Sequence, residues 1–135
     1  MNTLNLVESN SGLKNAVIYV RCCNDGDLDN AIKTQIDGCT AFALFRGYKI
    51  THIYCDNNVS GRTENRPEFQ KMIADTHTGA FQAVFVWNLS RFARNLGILS
   101  KHNEILNKNG VHLISVDEMS DNTPMTQFIK NMITA

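Results

Sequence analysis

Proline is scarce in this 135-residue chain, two residues in all, while hydrophobic residues make up 43%. That balance excludes a disordered or proline-extended chain and is enough for one packed core. A surplus of charge is missing too: 13 Lys and Arg face 13 Asp and Glu, a formal net charge of zero. A stand-alone nucleic-acid binder normally carries a basic excess, so neutrality argues against one. It leaves room for a catalytic module whose positive charge is gathered in one place. No apolar run approaches the roughly 18 residues of a membrane span. The polar leader, residues 1–14, lacks the charged start and apolar stretch of a secretory signal. The four cysteines (Cys22, Cys23, Cys39, Cys55) include an adjacent pair and show no C-x-x-C spacing. His52, His77, His102 and His112 are likewise scattered, so no metal site is expected. Reduced thiols and a cytoplasmic location are the simpler reading. Neither G-x-x-x-x-G-K nor G-x-G-x-x-G occurs, which removes the usual loops for nucleotide phosphates.

What is present is an alternation of strand and helix signals. Ala16–Val20 is a short continuous apolar run, as expected of a strand covered on both faces. Leu28, Ile32, Ile36, Cys39 and Ala43 recur at three- and four-residue steps and predict an amphipathic helix closed by Gly47. Tyr48–Cys55 is β-branched and aromatic and reads as a second strand. After the polar loop Asp56–Asn65, Arg66-Pro67 opens a helix buried through Phe69, Met72 and Ile73, with Gly79 at its end. Ala83–Trp87 is the third strand. The basic segment Asn88–Arg94 leads to a helix with Leu96, Leu99, His102, Ile105 and Leu106 on one face, stopped by Gly110. Val111–Val116 is the fourth strand. Asp121-Asn-Thr-Pro124 then caps a last helix whose stripe is Met125, Phe128, Ile129, Met132 and Ile133. Four alternations predict an α/β domain with a mostly parallel sheet of about four strands flanked by helices. The final stripe is expected to be a truncated oligomerisation helix, because such a face needs cover.

In an open parallel sheet, ligands bind beyond the carboxyl ends of the strands. The first strand delivers Arg21, Cys22 and Cys23 there. The second delivers Asp56, Ser60, Gly61, Arg62 and Arg66, and the third Ser90, Arg91 and Arg94. Arginine forks match phosphate oxygens and stay charged. Several converging on one point suit the charge that develops during phosphoryl transfer, with a thiol among them as nucleophile. The competing reading is that these loop arginines are solvated or paired with Asp56, Glu64 and Glu68. Along the strand end, Tyr19, Arg21 and Cys23 share one face, which leaves Cys22 to pack inward. Cys39 and Cys55 read as core, and Trp87 as a buried edge residue rather than a base-stacking platform.

The pattern resembles the serine site-specific recombinases of the resolvase/invertase family. Tyr19-Val-Arg21-Cys22-Cys23 resembles their Tyr-x-Arg-x-Ser strand end, and Gln35 the glutamine of their first helix. Asp56 with Ser60-Gly61 and Arg66-Pro67 is similar to Asp-x-x-x-Ser-Gly followed by Arg-Pro. Trp87–Asn95 resembles the Leu-Asp-Arg-x-x-Arg segment, and Gly110–Val116, Glu118 and Thr123-Pro124 the approach to the long dimerisation helix. The resemblance runs from Ala16 to the end and is nearest to the N-terminal catalytic domain of the large serine recombinases, with residues 15–135 as that domain and the DNA-binding part absent.

The resemblance implies metal-free transesterification through a covalent 5′-phospho-enzyme, with strands exchanged in a tetramer and no cofactor. Arg21, Arg66, Arg91 and Arg94 would hold the scissile phosphate. Gln35, Asp56 and Ser60 would orient the site, and Tyr19 would pack beneath it. The implied partners are double-stranded DNA and further copies of the chain, joined as dimer and tetramer through the C-terminal helix. Two positions depart from the pattern: Cys23 stands in the place of the nucleophilic serine, and Ser90 in the place of the aspartate before the first arginine of the pair. A working thiol, a replaced serine and a decayed homologue all fit those letters. A non-catalytic relative that binds DNA or pairs with active ones is the alternative.

Overall fold

The computed structural model describes residues 12–21, 28–56, 66–93 and 96–117, without the side chains of 28–31 and 91. The expectations for Cys22, Cys23, Ser60, Arg62, Arg94, residues 1–11 of the leader and the stripe from Met125 to Ile133 lie outside the described residues, and Lys14, the leader's last residue, already belongs to the first strand. In chain order the elements are β1 (Lys14–Arg21), α1 (Leu28–Phe45), β2 (Tyr48–Asp56), α2 (Pro67–Asp75), a 3₁₀ turn (Thr76–Thr78), β3 (Ala83–Val86), α3 (Leu89–Phe92), α4 (Leu96–Lys108) and β4 (His112–Ser115). The strands form one four-stranded sheet in the order β2-β1-β3-β4, and every pair is parallel. The fold is α/β, as the alternation of patterns predicts.

The central strands β1 and β3 are buried on both faces, which is why they read as unbroken apolar runs. Val17 and Tyr19 of β1 and Val84 and Val86 of β3 pack on Phe69 and Met72 of α2, Phe92 of α3, and Leu99 and Leu106 of α4. Ala16, Ile18 and Val20, with Phe85, face Cys39 and Ala43 of α1 on the other side. The two-residue alternation along β1 thus sorts its side chains between two helical layers. At Gly38, α1 comes so close that an added Cβ would lie 2.5 Å from the Trp87 ring. Among the described residues no helix is long and apolar enough to cross a membrane.

The elements differ from the sequence expectations at their ends. The first strand runs from Lys14 to Arg21 because β2 pairs with it along its whole length, from Lys14↔Tyr48 to Arg21↔Asp56. The second helix stops at Asp75, four residues short of Gly79, and tightens into the 3₁₀ turn. Thr76 and Thr78 drive that change, their hydroxyls donating to the carbonyls of Ile73 and Asp75 and offering the backbone an alternative to the α-helix. Gly79 then takes the left-handed conformation, φ 76°, that suits a residue without a side chain. The basic segment after β3 contains one helical turn, α3.

Candidate active site at the carboxyl edge of the sheet

The order β2-β1-β3-β4 places β1 between the two strands that follow it in sequence, so connections leave it in opposite directions. The crevice at such a switch point, beyond the carboxyl ends of β1 and β3, is where open α/β sheets bind ligands. Arg21 ends β1 at that point. Its ladder partner is Asp56, the last residue of β2. Both follow the face of Tyr19 and Tyr54, the side covered by α2.

Asp56 is 4% exposed, and its carboxylate is fully engaged. Oδ2 accepts from the Tyr19 hydroxyl at 2.8 Å and from the Phe69 N–H at 3.0 Å, and Oδ1 from the Glu68 N–H at 3.0 Å. Pro67 opens α2, so these are free N–H groups of its first turn, and the residue in the cap position, Arg66, offers no side-chain cap. Asp56 therefore caps the helix from the end of a neighbouring strand, where a negative charge also suits the helix dipole. Burial pushes the Tyr19 phenol well above its ordinary pKa, and the bond to Asp56 adds to the shift. Tyr19 is a neutral donor.

Arg66 is also buried, at 5% exposure. Its guanidinium carbon lies 3.8 Å over the Phe69 ring and 5.9 Å from the Tyr19 ring centre. Nη1 donates to the carbonyl of Phe92 at 2.9 Å. Phe69 in turn meets Tyr19, Phe92 and His102 edge-on, with centroids 5.2, 5.1 and 5.0 Å away. Tyr19, Asp56 and Arg66, chosen from three separate stretches of sequence, thus form one contacting cluster.

The remaining described candidates lie outside that contacting cluster. Arg21 is half-buried, and its Nε is enclosed yet has no hydrogen-bond partner among the described residues. Gln35, on the sheet side of α1, is 5% exposed, and its Oε1 also lacks a partner among the described residues. Ser90, on α3, is exposed and donates to Asn88 Oδ1 at 2.6 Å. Arg91 belongs to the same turn. Among the described residues no group of three His, Cys, Asp or Glu side chains is placed to hold a metal ion. Sequence reasoning missed two participants. The Phe92 carbonyl carries no sequence signal at all; Phe69 was visible only as an apolar helix residue, although its position three after Arg66 is what lets it support the guanidinium.

A family model for the resolvase N-terminal domain matches residues 16–135, so the chain belongs to the resolvase family of site-specific recombinases. No curated protein sequence matches significantly. Among solved structures the chain is similar to the N-terminal catalytic domain of TP901-1 integrase, with 28% identity, a TM-score of 0.70, and coverage of 90% of this chain and 92% of that one. It is also similar to a resolvase family site-specific recombinase from Streptococcus pneumoniae, with 28% identity, a TM-score of 0.68, and coverage of 87% and 84%. The C-terminal catalytic domain of ISC1926 TnpA, an IS607-like serine recombinase, shares the fold at 21% identity and a TM-score of 0.65, over 87% and 77%.

Proposed function

We propose that the chain is the catalytic domain of a recombinase that cuts double-stranded DNA by transferring a phosphoryl group to its own side chain, with Cys23 as nucleophile. The observation that carries this reading is Arg21. Its Nε is buried without an acceptor at the end of the central strand, beside the switch point and two residues before Cys23. Buried polar atoms are nearly always satisfied, so an orphaned donor at a strand end is available to an incoming acceptor. A phosphate oxygen suits a guanidinium. Asp56, the ladder neighbour of Arg21, spends both oxygens on Tyr19 and the start of α2.

In the proposed step the Cys23 thiol gives its proton to water and the sulfur attacks phosphorus. An S–P bond forms as the P–O3′ bond breaks. The 5′ side of the DNA stays on the enzyme, and the 3′ oxygen takes up a proton and leaves as a hydroxyl. Attack by the 3′ hydroxyl of another strand reverses the step, restoring the phosphodiester and the thiol. Bond energy is conserved in the covalent linkage, so the step needs no nucleotide cofactor. Arg21, Arg91 and Arg94, with Arg66 behind them, offset the charge on the phosphoryl oxygens. Gln35 and Ser60 orient the site. Copies of the chain assemble through the stripe Met125, Phe128, Ile129, Met132 and Ile133, and the protein works in the cytoplasm.

The test is trapping of a covalent protein–DNA adduct on double-stranded DNA carrying candidate sites. The parent and Cys23→Ser should both form one at a 5′ phosphate, the serine form faster, and Cys23→Ala and Arg21→Ala should not. Absence of adduct from both competent forms on every site defeats catalysis. One observation favours a second reading, a non-catalytic partner of active recombinases: residue 90 presents a hydroxyl committed to Asn88, where the family's pattern has a carboxylate. In that case Cys23→Ser combined with Ser90→Asp still gives no cleavage while self-association persists.

A further inference from the structure

We infer that Arg66 is a positioning residue, a strut that locks the α3 turn against the start of α2, and that it is not itself a ligand of the phosphate. The inference rests on the phosphoryl-transfer reading and refines one role within it. Arg66 is 5% exposed, and its guanidinium already has a seat, 3.8 Å above Phe69. Its Nη1 donates to the Phe92 carbonyl at 2.9 Å. Phe92 is fully buried, so that carbonyl has no water to turn to.

The position of Phe92 gives the bond its consequence. It is the last residue of α3, a helix of four residues that carries Ser90 and Arg91. A single turn fixes several dihedral angles for very few hydrogen bonds and does not hold its shape alone. One backbone bond, from Ala93 N–H to the Leu89 carbonyl at 2.9 Å, closes it from below. Arg66 supplies an anchor from outside. Its own end is firm: the Arg66 carbonyl accepts the Gln70 N–H at 2.9 Å to start α2, and Asp56 holds the next two free N–H groups. The chain of support therefore runs from β2 through Asp56 to α2, through Arg66 to α3, and so to the backbone of Arg91. An arginine that left this seat for a phosphate would abandon the aromatic face and the buried carbonyl together. Arg21 stands in the opposite condition, with a donor to spare.

Two variants in a Cys23→Ser background separate strut from ligand: Arg66→Gln, and Phe69→Leu, which keeps every charge but removes the aromatic seat. Two quantities are read on double-stranded DNA, the salt dependence of affinity and the rate of covalent adduct formation at saturating DNA. Each phosphate contact contributes about 0.9 to the slope of log affinity against log salt. A strut predicts an unchanged slope in both variants and adduct formation slowed about tenfold or more in both, since small misplacements of a reacting group are that costly. A slope reduced by about 0.9 in Arg66→Gln, with normal slope and rate in Phe69→Leu, would make Arg66 a phosphate ligand and overturn the inference. If Arg66→Gln does not fold, Phe69→Leu decides alone, a slowed rate supporting the strut and a normal rate refuting it. If the Cys23→Ser parent itself yields no adduct, phosphoryl transfer falls. The slope in Arg66→Gln then settles the role of Arg66 by itself.

Discussion

Asp56 shows how much one carboxylate can hold. It satisfies a buried phenol and two helix N–H groups at once, so Asp56→Ala leaves three donors short in a dry interior. A loss of about 3 kcal/mol is expected in urea unfolding, combining a lost cap with unmet hydrogen bonds. Tyr19→Phe removes one of the three bonds and should cost about 1 kcal/mol at neutral pH. Its effect changes with alkalinity. The Tyr19 phenol has an ordinary pKa of 10.0 in the unfolded chain and a raised one in the fold, by burial first and the Asp56 bond second. The stability it adds is thus whole below pH 10.0 and declines as pH rises beyond it. Burial pushes the Cys39 thiol from 9.0 up to about 12, so its share begins to fade near pH 9.0. Stability measured against pH should fall from about pH 9 upward, with Cys39→Ala flattening the first part of the decline and Tyr19→Phe the later part. Sequence reading placed Tyr19, Asp56 and Arg66 near one another but could not tell which would be spent on structure. A hydrogen bond to a backbone carbonyl, such as that of Phe92, leaves no trace in side-chain pattern.

At the scale of elements, period and punctuation carried most of the fold. Sheet-facing positions of α1, namely Ile32, Ile36, Cys39 and Ala43, follow the expected stripe and pack on the sheet. The proline after Arg66 marks the start of α2. What the stripe concealed is Gly38, which looks like an ordinary weak point in a helix but leaves no room for a side chain against Trp87. Replacing a helical glycine by alanine normally gains about 0.5–1 kcal/mol. Here the new methyl would meet the ring at 2.5 Å. Gly38→Ala should therefore destabilise by about 1–3 kcal/mol, the range for overpacking, as circular dichroism during chemical unfolding would show. The turn α3 escaped pattern reading because four residues are too few for a helical period to register.

At the scale of the whole molecule, neutrality and topology work together. Formal charge sums to zero, yet β1 ends in an arginine at the one crevice the strand order creates. Non-specific affinity for DNA follows the number of phosphates neutralised. This chain alone should bind duplex DNA weakly and release it readily as salt rises. Tight binding at 200 mM salt in a gel-shift assay would contradict that. The strand order itself was not legible in the sequence, because the apolar runs of β1 and β3 say that both are buried but not which lies next to which.

The packing of Trp87 on Gly38 has one practical consequence. It is the sole indole in the chain, half-buried against α1 and one residue beyond the end of β3. Its emission should be blue-shifted in the folded protein. Any shift of the turn that begins two residues later would register as a change of colour, so the arrival of DNA at this edge can be followed without an added dye.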